Sequence, residues 1–235
     1  MRRTKIICTM GPATDNEDVL RDLMLNGMDV ARLNFSHGSH EEALERINRI
    51  KKVRDELNIP VAILLDTKGP EVRIKDFKEG KVELKEGQKF TLCTDDVVGD
   101  ENQVSITYAN LPNDVKVGSK ILIDDGLIEM EVISVKNSKI LCKVKNGGVV
   151  SNKKGVNVPN VALSMPYMSQ KDIDDILFGI EQDVDFIAAS FVRTANDIRE
   201  IKTLLRDNGG RDIRIIAKIE NAEGVDNIDD IIRET

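Results

Sequence analysis

The chain has 235 residues, no tryptophan, 3% aromatic, 32% charged and 40% hydrophobic residues, enough for one or two domains with a real core and too apolar for disorder. Lys and Arg number 34 against 41 Asp and Glu, a net charge of −7. With so few stacking side chains, this argues against nucleic acid and anionic membranes as partners, while leaving room for a local basic site for a small anion.

Residues 1–70 alternate strand and helix. Ile6 to Met10 reads as a short buried strand closed by Gly11-Pro12. Asp15 is the expected N-cap of a helix reaching about Leu25, with Gly27 as its stop. Asp29 to Ser36 reads as a second strand, and Ala43, Leu44, Ile47 and Ile50 mark the next helix by their spacing. Val61 to Leu65 is apolar throughout, as a strand covered on both faces should be. Such repetition with short loops means parallel strands and right-handed crossovers.

The pattern changes at Lys68-Gly69-Pro70. From there to about Pro166 no helix is predicted. Short β-rich runs take over at 81–84, 89–93, 104–108, 120–123, 129–134 and 139–144, separated by turn signals such as Asp125-Gly126 and Asn146-Gly147-Gly148. Residues 71–165 are therefore expected to form a small all-β domain, barrel or sandwich, inserted between α/β segments 1–70 and 166–235. In the last segment Ser169 caps a helix over 171–181, and Asp185 to Val192 is a strand. Thr194 caps a helix to about Arg206, Ile213 to Glu220 is a strand, and a helix covers about 225–234. Five parallel strands of this kind make a partial (β/α)8 barrel, whose closed form needs eight strands and typically about 250 residues.

Cys8, Cys93 and Cys142 lie far apart with no CxxC pair, which suits a reducing compartment and gives no zinc or disulfide framework. The apolar run behind the basic start Met1-Arg2-Arg3 is too short for a signal peptide, and no stretch is long enough to span a bilayer. A cytoplasmic protein is expected.

In such barrels the functional groups sit at the C-terminal ends of strands. On the second strand Arg32, Asn34 and Ser36 share one face, and Leu33 and Phe35 the other. The polar face suits a wet site: Arg32 for phosphate or carboxylate, Asn34 and Ser36 as neutral oxygen ligands for a hard cation. A plain solvated strand face is the alternative. The third strand ends Leu65-Asp66-Thr67-Lys68-Gly69-Pro70-Glu71-Val72-Arg73, either a dense cluster at the barrel mouth or a charged linker. On the fifth, Lys218 and Glu220 point the same way. Lysine neutralises a phosphoryl group or an enolate, and a carboxylate holds a divalent metal, although such a pair is often a simple salt bridge. His37 and His40 are a weak metal signal and are read as non-ligands. Lys153-Lys154-Gly155 is a solvated turn or an arm reaching a phosphate.

Five segments carry a resemblance: Lys5 to Thr14, Ala31 to Gly38, Leu65 to Arg73, Lys153 to Pro159 and Ile216 to Asn221. Through their sequences, order and spacing the chain resembles the pyruvate kinase family from its first residue to its last. The resemblance implies a TIM barrel with a β-rich B domain after the third strand, and phosphate transfer from phosphoenolpyruvate to ADP giving pyruvate and ATP in glycolysis. It implies that Arg32 binds the phosphoryl group and that Asn34, Ser36, Asp66 and the Thr67 carbonyl hold K+. It further implies that Asn34, Phe35, Ser36, His37, Arg73 and Lys154 contact the nucleotide. By the same likeness Lys218 binds substrate and stabilises the transition state, and Glu220 is one ligand of Mg2+ or Mn2+. Glu71 stands where relatives independent of potassium carry a lysine, which implies a potassium requirement.

The resemblance covers the first half of an ordinary member. The Gly-Asp segment with the second magnesium carboxylate, a threonine near the enolate carbon and the C-terminal domain would lie beyond Thr235. The expectation is a fragment inactive by itself, from an enzyme that is a homotetramer when intact. Two other readings are a non-catalytic half-barrel binding module and a different phosphoenolpyruvate or pyruvate enzyme. The barrel-interior face would lack cover near Ile7, Val30, Ile63, Leu64, Ile187, Ile215 and Ile216, so the chain is expected to self-associate.

Overall fold

The computed structural model describes residues 3–235; the first two residues of the basic start lie outside the described residues. In chain order the first elements are β1 (Ile7–Thr9), α1 (Glu17–Leu25), β2 (Val30–Asn34), α2 (His40–Leu57) and β3 (Ala62–Asp66). Then come β4 (Val72–Arg73), β5 (Lys81–Leu84), β6 (Lys89–Cys93), β7 (Gln103–Ser105), α3 (Leu111–Asp114), β8 (Lys120–Ile123), β9 (Ile128–Lys136) and β10 (Lys139–Val144). β11 (Gly148–Ser151), β12 (Gly155–Asn157), α4 (Gln170–Glu181), β13 (Phe186–Ala189), α5 (Ala195–Asp207), β14 (Arg214–Ala217), α6 (Ala222–Asp226) and α7 (Ile228–Glu234) complete the chain. These elements form two compact units. One runs to Pro70 and resumes as Tyr167–Glu220 and Gly224–Thr235; the other is Glu71–Pro166 with Asn221–Glu223.

The first unit is a parallel sheet in the order β1-β2-β3-β13-β14, five strands of a partial (β/α)8 barrel. Strand residues alternate between two faces. Leu33, Ile63, Leu65, Ile187 and Ala189 pack with Ile47, Ile50, Ile176 and Ile198 of the covering helices. Leu64 is buried on the opposite face, so β3 is apolar because both of its sides are covered. On that face, Ile7 and Ile216 of the edge strands are 51% and 39% exposed, so the sheet is dry at its centre and bare at its margins. Ile63 and Ile187 belong wholly to the helix side, and Ile215 packs against that core.

Local chemistry sets most helix ends. Ser39 caps α2, accepting from Glu42 N, and Asn58 closes it in the left-handed region at φ 52°. Ser169 with Asp172 and Thr194 with Asp197 form capping boxes on α4 and α5. Two expectations need correction. Asn16, not Asp15, caps α1, by accepting from Asp18 N. The Asp15 carboxylate is instead taken by Arg46 and Arg49 of α2, and the Arg46 hydrogen bond holds its pKa below the ordinary value. The last helix is two: Asn227 breaks it, donating its side chain to the Arg193 carbonyl while its own carbonyl starts α7.

The second unit is a seven-stranded sheet, β4-β12-β8-β9-β10-β6-β7, beside a small β5–β11 ladder. An antiparallel bridge between Ile74 and Ile106 joins its two edges, with Lys75 N donating to Ser105 O at 2.7 Å and Thr107 N to Arg73 O at 2.8 Å. That closure makes it a barrel and not a sandwich. Phe90, Leu92, Ile121, Met130, Ile140 and Cys142 fill it. The expectation of no helix here fails at α3, a single turn with a proline in its start and too short to show a period. Strands β4, β11 and β12 were not expected, because each is two to four residues paired across a long loop.

A core of its own and a closed sheet predict that excised residues 71–165 unfold cooperatively, with a β-type circular dichroism spectrum; a disordered segment would contradict this. Burial pushes the Cys142 thiol up to about 12 from the ordinary 9. Its stabilising contribution is thus complete below about pH 9 and lost as the pH rises toward 12. At pH 8 the half-buried Cys8 should alkylate well before Cys142, which should react only on unfolding.

Candidate active site

The C-terminal ends of β2, β3, β13 and β14 converge on one carboxylate. Asp66 ends β3 and is 2% exposed. Its Oδ2 accepts from Arg32 Nε at 2.7 Å and also pairs with Arg32 Nη2. Its Oδ1 accepts from Lys218 Nζ at 3.0 Å and lies 3.2 Å from Ser190 Oγ. Arg32 Nη1 donates to Thr9 Oγ1 at 2.7 Å, which links β1 to the cluster. Lys218 also pairs with Glu220 at 3.4 Å, and Glu220 Oε2 accepts from Phe191 N at 3.0 Å. Two cations thus face two carboxylates. The cations are about a third exposed, with side-chain exposures of 32% for Arg32 and 30% for Lys218, while the carboxylate between them is sealed. The accessible groups of the cluster are therefore Arg32, Lys218 and the 35% exposed Glu220, two cations and one carboxylate around the sealed Asp66, a set in which the cations can receive an anion.

The remaining predicted residues have different surroundings. Leu33 and Phe35 are buried opposite Arg32, as alternation requires. The Phe35 ring packs near Phe178 and His40, so only its backbone remains for a ligand, and its N–H donates to Asp66 O. Asn34 is exposed, and its Oδ1 accepts from Ser36 N at 3.0 Å, folding the strand exit into a turn. His37 is exposed. His40 is engaged elsewhere, with Nε2 2.7 Å from buried Asp175 and its ring stacked on Phe178. Arg73 and Lys154 belong to the second unit. There Arg73 pairs with Glu71 at 2.7 Å, which raises its pKa, and donates to Lys153 O, while its Nε is buried with no partner. Lys154 pairs with Asp124 at 2.9 Å.

Ser190 was missed by the sequence reading. It is 3% exposed, one residue past β13, and its Oγ lies 2.7 Å from Thr67 O and 2.8 Å from Lys218 Nζ. Its N–H donates to Thr67 Oγ1, and its carbonyl accepts from the buried Tyr167 hydroxyl at 3.0 Å. Burial raises the Tyr167 pKa far above the ordinary value, which keeps that hydroxyl a donor. The signal is present in the sequence: Ser190 is the polar residue at the C-terminal end of an apolar strand, the place that Asn34, Asp66 and Lys218 hold on the other three.

The oxygens of Asp66, Thr67, Asn34 and Ser36 are hard donors of the kind a monovalent cation accepts. Glu220 offers one carboxylate, which suits a magnesium site completed by phosphate and water. Among the described residues no three His, Cys, Asp or Glu side chains cluster as a full metal cage.

The pyruvate kinase barrel-domain family model matches residues 1–235. The chain belongs to the pyruvate kinase family. It is 49% identical over 236 residues to the pyruvate kinase of Clostridium perfringens, covering 100% of this chain and 50% of that one. To the pyruvate kinase of Geobacillus stearothermophilus it is 54% identical over 233 residues, covering 98% and 40%. The chain thus spans 40–50% of the length of these curated relatives. No helix of the described residues is long and apolar enough to cross a membrane.

Gly69, just past β3, has φ +67°, and an added Cβ would lie 2.6 Å from the Ser190 carbonyl oxygen. Gly69→Ala should therefore cost about 1–3 kcal/mol, the range for a strained backbone position, and lower the urea midpoint. An unchanged midpoint would show that the β3 exit does not depend on this close approach.

Proposed function

We propose that this chain supplies the phosphoryl-binding half of a pyruvate kinase site, which transfers phosphate from phosphoenolpyruvate to ADP in glycolysis. The observation that carries the reading is the shared hold of buried Asp66 on Arg32 and Lys218 at the strand ends. In that reading Arg32 gives the phosphoryl group the N–H bonds of Nη1 and Nη2 not used on Thr9 and Asp66, and Lys218 lies against the bridging oxygen that becomes the enolate. Phosphoryl transfer needs mainly positioning and positive charge around the equatorial oxygens, and these two groups provide both.

Asn34, Ser36, Asp66 and the Thr67 carbonyl would hold K+, and Glu220 would be one ligand of Mg2+ or Mn2+; the cations add positive charge where the phosphoryl oxygens collect. Asn34, the Phe35 backbone, Ser36, His37, Arg73 and Lys154 would contact ADP or ATP. Residues 71–165 would act as the B domain, a lid that excludes water, which otherwise accepts the phosphate. The intact enzyme is proposed to be a cytoplasmic homotetramer with no nucleic-acid or membrane partner.

The test is a coupled assay of the chain alone and with the C-terminal half of the Clostridium perfringens relative supplied in trans or fused. Losing one charged group of such a site typically costs about a hundredfold or more. The chain alone should therefore be nearly inactive, and the completed protein should turn over. Near-normal turnover by the isolated chain would refute the half-site reading; a completed protein that stays inactive would favour a binding module.

Self-association is also proposed. Among the described residues of the first unit the exposed large apolar side chains are Ile6, Ile7, Val19, Leu25, Ile216, Val225 and Ile232, on or beside its first and last α/β elements. Each buried side chain of this type is worth about 1.5–3 kcal/mol, and the edges of β1 and β14 can template further pairing. Light scattering should rise across a concentration series, with binding of a hydrophobic dye. A stable monomer that binds no dye would overturn this.

A further inference from the structure

We infer that Ser190 is a positioning residue whose single hydroxyl proton couples a monovalent cation at the Thr67 carbonyl to the hold of Asp66 on Lys218. This rests on the proposed reading of Thr67 and Asp66 as cation ligands.

A serine hydroxyl has one proton to give and two lone pairs to accept with. Three groups surround Ser190 Oγ: the Thr67 carbonyl at 2.7 Å, Lys218 Nζ at 2.8 Å and Asp66 Oδ1 at 3.2 Å. An ammonium only donates, so Lys218 takes a lone pair of the hydroxyl. The proton then has two acceptors to choose from, and the distances assign it to the Thr67 carbonyl. Asp66 Oδ1 is left to Lys218, 3.0 Å away.

Positive charge at the Thr67 carbonyl reverses that choice. A cation there repels the hydroxyl proton from the neutral carbonyl, and rotation about one bond re-aims it at Asp66 Oδ1, whose negative charge still attracts a donor although the carboxylate also touches the cation. That oxygen then has a second donor on it, and its attraction for Lys218 is shared. The ammonium keeps its bond to Ser190 Oγ, which fixes its place, while its remaining protons are released toward the open side of the cluster. No covalent step or change of charge is involved, only the direction of one O–H. The hydroxyl is suited to this because it is sealed: with 3% exposure it has no water to satisfy it in place of either acceptor. Its place is held by the Tyr167 bond to its carbonyl and by the bond from its N–H to Thr67 Oγ1.

The experiment uses the whole chain. Thallous ion is titrated by 205Tl NMR as the probe of the cation site. In parallel, brief acetylation of Lys218 is quantified by mass spectrometry in potassium chloride and in tetramethylammonium chloride at equal ionic strength, with an exposed lysine as internal reference. Potassium should raise Lys218 labelling several-fold in the unmodified chain and in Ser190→Thr, which keeps the hydroxyl. It should leave labelling unchanged in Ser190→Ala. Thallous binding without a potassium response in the unmodified chain, or an equal response in Ser190→Ala, overturns the inference and leaves the cation site standing. Absence of thallous binding overturns the cation-site reading and the inference with it. Where Ser190→Ala fails to fold, Ser190→Gly, which also lacks the hydroxyl, takes its place: an unchanged labelling supports the inference and a potassium response overturns it.

Discussion

The first unit is organised around a carboxylate that has almost no contact with solvent. Asp66 sits at the end of the central strand with Arg32 on one oxygen and Lys218 on the other. An isolated carboxylate in that position would lose its hydration without return; here two cations replace the water. The dependence runs both ways. Without Asp66 the guanidinium and the ammonium would repel one another and turn outward. Breaking a buried pair of this kind costs about 3–5 kcal/mol, comparable with the low end of a domain's whole margin of about 5–15 kcal/mol.

This arrangement follows from the parallel sheet. All five strands run the same way, so their C-terminal ends lie together, and the residues that leave the ladder there meet although they are up to 152 positions apart. β3 is apolar on both faces until Asp66, so the carboxylate is buried by the strand that delivers it. The loops after β3 and β13 are then locked together. Ser190 bonds the Thr67 backbone, and Gly69 passes so close to the Ser190 carbonyl that a side chain would not fit. Binding groups on such rigid exits need little reordering when a ligand arrives, which is where electrostatic stabilisation gains its strength.

The second unit solves a different problem. A β-rich segment leaves unpaired edges unless it closes. It closes through short, distant pairings at Ile74–Ile106 and between β4 and β12, around a core independent of the first unit's. The first unit does not close in this way: among the described residues β1 pairs only with β2 and β14 only with β13, so each has an outer edge without a partner strand, and the exposed apolar side chains lie on or beside the first and last α/β elements.

Much of this was legible in the residue order. Helical spacing at Ala43, Ile47 and Ile50, the apolar run to Leu65, the caps at Ser169 and Thr194, and the hairpin strands at 120–123 and 139–144 are local, and local sterics and burial decide them. The facing of Arg32 and Asn34 against Leu33 and Phe35 is likewise dictated by a period of two. What the order could not show is which polar groups meet. That Asp15 would answer Arg46 in place of capping α1, that His40 would lie on Phe178 against Asp175, and that Ser190 would stand between Thr67, Asp66 and Lys218 depend on contacts across 28 positions or more. Local propensity determines the elements because its energies are set within a few residues. The partners of a buried charge are decided only when the folded sheet removes water and leaves each polar atom to find whatever donor the neighbouring strands have brought.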